Sequence, residues 1–448
     1  MTPTPGATST AVSLGEATRT WLQVGLQSFG GPAGQIAVMH RILVDEKRWL
    51  REDQFLHALN YCMLLPGPEA QQLAIYAGWL LHGHRGGLIA GWLFVLPGFL
   101  SILALSLIYV WFPNADAVAG LFFGLQAAVL ALVLDAVLRI GRRALKRPIH
   151  RAVALAAFVA IFFLTLPFPL VIAAAAAVGL VEELTRPRAL GAAARAPVPP
   201  AEASRRPASA SLSRAARSLA LWGGLWVVPT MVVTLALGAT SVWSTLARFF
   251  SQAAVVTFGG AYSVLAYIAQ EAVETHGWLR PEEMLTGLGM AETTPGPLIQ
   301  IVQYVGFLAA YRNPGDFDPT VAGILAALLV TWVTFAPCFL WIFLGAPYME
   351  RLRDARRLNA ALAMVTAAVV GAILNLAVWF AIHTVFADVE DRGSAGVRLL
   401  VPVLDSIDVA ALLLALGAAV ALFRYRIGVL RILGVAALAG VVYELATA

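Results

Sequence analysis

The sequence predicts an all-α polytopic membrane protein built as two inverted-topology repeats with broken helices. Three observations lead there: an apolar composition, about thirteen hydrophobic segments, and an internal duplication in which the breaks recur. Of 448 residues, 60% are hydrophobic and 13% charged, against roughly 45–50% and 25% in soluble domains. A soluble fold could not hide that much apolar surface, which excludes a cytosolic enzyme, a nucleic-acid binder and a disordered chain. The net charge of +5 is first a topology signal. No cationic, apolar leader opens the chain, so no cleaved signal is expected. Cys62 and Cys338 lie in apolar stretches, outside any disulfide framework or metal-ligand spacing.

A helical span needs about 20 apolar residues. In chain order, segment 16–46 is interrupted by Ser28-Phe29-Gly30-Gly31-Pro32, and 54–83 by Pro66-Gly67-Pro68. Candidate spans follow at 86–112, 115–138, 152–166 and 168–184. These make an N-terminal repeat, 1–184. Residues 185–215 are polar, basic and Pro-rich, which reads as a flexible cytoplasmic linker. An extra connecting span lies in 216–245, and the C-terminal repeat occupies 246–448. There, 246–275 is interrupted by Thr257-Phe258-Gly259-Gly260 and 283–311 by Pro295-Gly296-Pro297. Spans at 321–346, 358–386, 406–423 and 427–446 complete it. Gly and Pro free backbone groups that lipid cannot satisfy, so such breaks survive only where protein or water covers them.

Charge orients the chain. If every segment crosses, 23 of the 31 Lys/Arg fall on one side and 8 on the other. If the four broken segments are re-entrant hairpins, the tally sharpens to 26 against 5. Either way the basic side is cytoplasm by the positive-inside rule, with the N-terminus inside and the C-terminus outside. The expected location is the plasma (inner) membrane, with the lipid bilayer as solvent.

The duplication is gapless at an offset of 229, matching Ser28–Gln72 to Thr257–Ile301 with 14 of 45 positions identical. Phe29-Gly30-Gly31, Trp49-Leu50 and Pro66-Gly67-Pro68 all recur in register. An odd number of crossings separates equivalent elements under either reading, so the halves insert upside down. Inverted repeats with broken helices at matching positions point to a secondary transporter with its site near the midplane.

At Phe29 to Gln35, at Trp49-Leu50 and at Pro66 to Gly78 the chain resembles the chromate ion transporter family in its long, duplicated form. The resemblance implies export of chromate, a tetrahedral dianion like sulfate, from the cytoplasm, conferring resistance. The second half departs from the pattern, with Leu298 in place of Glu69 and Ala261 in place of Pro32.

The motifs themselves suit an oxyanion. Pro66-Gly67-Pro68 precedes a helix start, whose free N–H groups and partial positive charge favour anions. Pro295-Gly296-Pro297 supplies a second start from the other half. Ser28 and Thr257 are expected to add hydroxyl donors beside Gly30-Gly31 and Gly259-Gly260, and Gln71 and Gln300 amide donors one turn in. The alternative is that these breaks are packing kinks.

Glu69 sits in a first helical turn, where the dipole stabilises it. It would repel a dianion, so coupling or an ion pair fits it better than ligation. Glu292, equivalent to Met63, lies near a half-helix C-terminus and is a coupling candidate. Arg41 and Arg48 could draw anions to the mouth, although neighbouring acids also make that region a solvated face. Arg85 is an entry cation or a loop anchor. His82-x-His84 reads as an interfacial loop, and Asp135 with Arg139 as an i,i+4 pair.

The expected partners are the oxyanion and a coupling ion, either a proton or a counter-anion, with no nucleic acid and no cofactor. Three rivals stay open: a sulfate- or molybdate-type uptake permease, a channel, and an intramembrane enzyme. The last needs a catalytic set, and none is evident in the sequence.

Overall fold

The structure, a computed structural model, describes residues 12–185, 212–258, 260–346, 355–393 and 396–447. Gly259 and most of the expected linker, 186–211, lie outside the described residues. Helix α1 (Leu14–Gln27) starts where the Ser13 hydroxyl accepts the Glu16 N–H at 3.2 Å, satisfying an orphan donor of the first turn. It stops at the first break. Helix α2 (Gly31–His40) restarts the chain and widens into a π turn at Arg41–Glu46. Helices α3 (Glu52–Cys62) and α4 (Glu69–Trp111) flank the first Pro-Gly-Pro turn. α4 is two helices in one, because His82 and Gly83 leave helical geometry. Helices α5 (Asp116–Ala144), α6 (Pro148–Phe162) and α7 (Phe168–Thr185) complete the half.

Next come α8 (Leu212–Ser218) and α9 (Gly224–Leu237), which buries none of its residues. A helix apolar all round and unburied needs lipid for its neighbour. The second half holds α10 (Val242–Val256), α11 (Ala261–Ala269) with a π turn at Gln270–Thr275, and α12 (Pro281–Thr293). A 3₁₀ turn at Leu298–Gln300 leads into α13 (Ile301–Arg312) and α14 (Pro319–Gly345). The last helices are α15 (Arg356–Val385), α16 (Val409–Phe423) and α17 (Val429–Thr447). Among the described residues, seven helices are long and apolar enough to cross a membrane. One local exception to the all-α expectation is a pair of antiparallel strands, Val389–Asp391 and Leu400–Pro402. They lie in a polar connection, where backbone groups outside the bundle must find partners of their own.

The duplication recurs as geometry. The π turns at Arg41–Glu46 and Gln270–Thr275 lie 229 residues apart, while a third, Leu219–Gly223, precedes α9. The Trp49 N–H reaches the Leu43 carbonyl at 2.8 Å, and the Trp278 N–H reaches the Ala272 carbonyl at 2.7 Å. The Gln54 side chain caps the Arg51 N–H at 3.1 Å, as Glu283 caps that of Arg280 at 2.9 Å. The core divides into one cluster built on α5 and α10 to α15, and another on α1, α3, the first part of α4 and the end of α14.

Each broken segment returns towards the end of the bundle from which it set out. Lys47 Nζ lies 2.9 Å from Glu16 Oε1, joining the two ends of the first segment. The second ends where His82 Nε2 meets the Val12 carbonyl at 2.7 Å, beside the start of α1. In the third, the Phe249 ring packs against Trp278 with centroids 5.8 Å apart. In the fourth, Arg312 Nη1 donates to Glu283 Oε2 at 2.9 Å. Segments crossing a hydrocarbon core would hold their ends roughly 30 Å apart. These four have the geometry of hairpins.

Candidate functional site

The tips of the four hairpins meet. The Gly67 N–H donates to the Thr257 carbonyl at 2.8 Å, and the Gly296 N–H donates to the Ser28 carbonyl, also at 2.8 Å. The exchange is reciprocal: each Pro-Gly-Pro turn of one half is bonded to the glycine turn of the other. The turns need glycine, since φ is +78 at Gly30, +71 at Gly31, +111 at Gly67, +102 at Gly260 and +98 at Gly296, a region where a side chain is strained.

A cavity of about 290 Å³ opens on one side of this junction. At roughly 30 Å³ per water it has room for about ten waters, or a small anion with part of its hydration shell. Its walls are Pro32 and Ala33 from the first glycine turn, and Gly260, Ala261 and Tyr262 from the second. Cys62, Met63, Leu65, Gly67 and Glu69 also line it, as do Arg139 and Arg143 of α5 and Thr366 of α15; the exposed Met63 and Arg143 and the part-exposed Arg139 form its rim. The Glu69 carboxylate lies against the second glycine turn, such that a Cβ at Gly260 would sit 3.3 Å from Glu69 Oε1.

Of the expected residues, Gly67, Gly260 and Glu69 line the cavity; Ser28, Gly30, Gly31, Pro66, Pro68, Gln71, Thr257, Pro295, Gly296, Pro297 and Gln300 do not. Ser28 and Thr257 are fully buried, and their hydroxyls donate to the Val24 and Ala253 carbonyls, both at 2.6 Å. They are therefore not the free donors the sequence suggested, because a hydroxyl at the end of a helix is captured by the carbonyl four residues back. What they offer the junction is their own carbonyl. The Gly67 and Gly296 N–H groups are likewise occupied, and of the first turn of α4 only Glu69 lines the cavity, Ala70 and Gln71 being buried. Gln71 is fully buried and both of its amide atoms lack a partner, whereas Gln300 donates to Gln303 Oε1 at 2.8 Å and Thr331 Oγ1 at 3.3 Å.

Glu292 is 3% exposed and accepts a hydrogen bond from the Tyr262 hydroxyl. Tyr262 in turn lines the cavity, so a buried acid stands one hydrogen bond behind its wall. The three expected entry cations lie elsewhere. Arg41 Nη2 is 2.6 Å from Gln27 Oε1, and Arg48 and Arg85 are exposed and do not line the cavity. The cavity's cations are Arg139 and Arg143, which sequence reasoning used for topology and for the Asp135–Arg139 pair, found here at 3.4 Å. Their spacing of four on a helix was the available signal, since it puts both on one face. His82 and His84 contact Val12 and the Phe343 ring, and no group that could hold a metal occurs among the described residues.

The cavity and the Glu283 hairpin occupy opposite ends of α5. Tyr109 donates to Glu283 Oε1 at 2.9 Å and its ring meets Phe122. Arg143 is 21 residues further along α5 than Phe122, about 30 Å at 1.5 Å per residue.

Comparison with known proteins places this geometry in context. The family described as "Chromate transporter" matches residues 2–180 and 244–441. The chain is 33% identical to the chromate transport protein of Pseudomonas aeruginosa, over 79% of this chain and 77% of that protein. It is 27% identical to the probable chromate transport protein of Synechococcus elongatus, over 82% and 84% of the two chains. It is 28% identical to the chromate transport protein of Cupriavidus metallidurans, over 79% of each. No solved structure matches the chain.

Proposed function

Because this chain belongs to the chromate transporter family, we propose that it carries chromate out of the cytoplasm, across the plasma (inner) membrane, as a multi-pass secondary transporter. The observation that supports this reading is the cavity itself, lined by two guanidinium groups and by Glu69, the first residue of α4, at the junction of the hairpins. Guanidinium forks and helix N-termini are both good hosts for oxyanions.

Direction follows from charge. With the four broken segments re-entrant and the halves inverted, the rim arginines lie on the side that collects 26 of 31 cations, the cytoplasm by the positive-inside rule. The N-terminus is then inside and the C-terminus outside, and the site faces the cytoplasm. A dianion leaving a cytoplasm held at negative potential gains about 4.6 kcal/mol per 100 mV, twice the ~2.3 kcal/mol of a single charge. Export needs no further ion for its driving force, but a proton or counter-anion can set its rate and reversibility. Glu69 in the cavity and Glu292 behind Tyr262 are the coupling groups in this reading. An ionised Glu69 repels the dianion, so a proton there favours loading.

Flux in proteoliposomes tests it. Chromate and sulfate should move with saturating kinetics, faster under an outward-driving potential, and the response to an imposed pH gradient should identify a proton as the coupling ion. Absence of chromate flux under every gradient would remove the proposal. Labelling cysteines placed at Lys146 and Thr447 should report opposite sides of the membrane.

A further inference from the structure

We propose that Arg139 and Arg143 form a two-guanidinium clamp that selects divalent tetrahedral oxyanions over monovalent anions; this rests on the transport reading above. Both side chains line the same cavity as Glu69, and both belong to the last turns of α5, four residues apart on one face. Arg143 forms no ion pair among the described residues. Arg139 has one partner, Asp135, at 3.4 Å, with both side chains about one-third exposed. Such a partly solvated pair contributes little, and a dianion arriving beside it can compete for the guanidinium. The neighbouring Arg147 is different, being bound to Glu182 across to α7 and absent from the cavity.

Among the described residues, no other cation lines the cavity. Its other lining includes Gly67, Gly260, Tyr262 and the acid Glu69. The two arginines supply two positive charges, offset by Asp135 beside Arg139 and, when it is ionised, by Glu69. A dianion gains most when Glu69 is protonated and when it displaces Asp135 from the guanidinium. Arginine fits this task because its planar fork places two donors on two oxyanion oxygens at once, and it stays charged at any physiological pH. An open rim lets the anion keep bridging waters on its outer side, which lowers the desolvation cost of holding it there.

The test measures binding and transport separately on the full chain. Titration calorimetry in detergent would compare chromate, sulfate and nitrate, alongside chromate flux in proteoliposomes. Loss of a charged hydrogen bond weakens binding by roughly tenfold to a hundredfold. Arg139→Gln and Arg143→Gln should each raise the dianion Kd by about that factor while changing nitrate binding about twofold or less, so that selectivity collapses. Arg143→Lys should recover part of the affinity, because an ammonium keeps the charge without the fork. Arg142→Gln, outside the cavity, should behave as wild type. Melting temperature and monodispersity guard against misfolding; should Arg139→Gln fail there, Arg139→Lys and Arg143→Gln decide.

Two results overturn the clamp: glutamine variants that keep the wild-type Kd and selectivity, or variants that weaken nitrate and chromate equally. Wild-type protein that binds dianions selectively but moves none sinks the transport reading and leaves the clamp. Wild-type protein that transports chromate while both glutamine variants bind normally sinks the clamp alone.

Discussion

The turns at Pro66-Gly67-Pro68 and Pro295-Gly296-Pro297 share a backbone and differ in chemistry. Each glycine N–H reaches across to the other half at 2.8 Å. Each glycine packs on the helix after a proline, Gly67 against Cys338 of α14 and Gly296 against Gly98 of α4. Beyond that the halves diverge. The first turn leads directly into α4 with Glu69 beside an open cavity. The second leads into a 3₁₀ turn, with Leu298, Ile299 and Gln300 all buried and the Gly296 carbonyl held by Gln35 Nε2 at 2.7 Å. The acids have moved too: Glu69 faces Leu298 across the repeat, and Met63 faces Glu292. A duplicated scaffold has kept its symmetric skeleton and placed one open site on it.

The largest expected effect strikes what the two turns share. Gly67→Ala and Gly296→Ala each place a side chain at strongly positive φ. The new Cβ would lie 3.0 Å from Gln72 Nε2 and 3.1 Å from Cys338 Sγ in the first case, and 3.3 Å from the Gly98 Cα in the second. Strain of about 1–3 kcal/mol is expected at either. Both should lower the melting temperature of the purified protein and cut chromate flux more than tenfold. If only one did so, the reciprocal junction would not be a shared structural element.

A smaller and more selective effect follows from Glu292. Its neighbours are the Tyr262 hydroxyl on α11 and, on α5, Asp135 and Arg139. Glu292→Gln keeps a group able to pair with that hydroxyl, so folding and chromate binding should survive while flux loses its pH response. Flux with the wild-type pH profile would reassign Glu292 to a structural hydrogen bond and favour anion exchange.

The smallest effect separates the two glutamines. Gln71 has no partner, so Gln71→Ala should leave stability unchanged and raise the half-saturating chromate concentration by about two- to tenfold, the equivalent of 0.5–1.5 kcal/mol. Gln300 is bonded to Gln303 and Thr331, so Gln300→Ala should cost about 1 kcal/mol of stability and leave half-saturation alone. Identical phenotypes would mean that the second turn also reaches substrate.

Much of this was legible along the chain. Apolar length marked the spans, because lipid admits little else, and the breaks marked the turns, because only glycine tolerates the φ values found at Gly67 and Gly296. The register of Phe-Gly-Gly, Trp-Leu and Pro-Gly-Pro gave the offset of 229 residues at which π turns and caps recur, although the π turns and caps themselves were not expected from the sequence. Other features needed the fold. That Ser28 and Thr257 would offer carbonyls rather than hydroxyls was decided by a helix carbonyl within 2.6 Å of each. That Arg139 and Arg143, rather than Arg41, Arg48 and Arg85, would share a cavity with Glu69 was decided by how α5 lies beside the hairpin tips. Local pattern determines which backbone is helical and which must turn, since those forces act within a few residues. Which side chains face one another across 70 to 190 residues of sequence is set by packing, and only the tertiary structure fixes that.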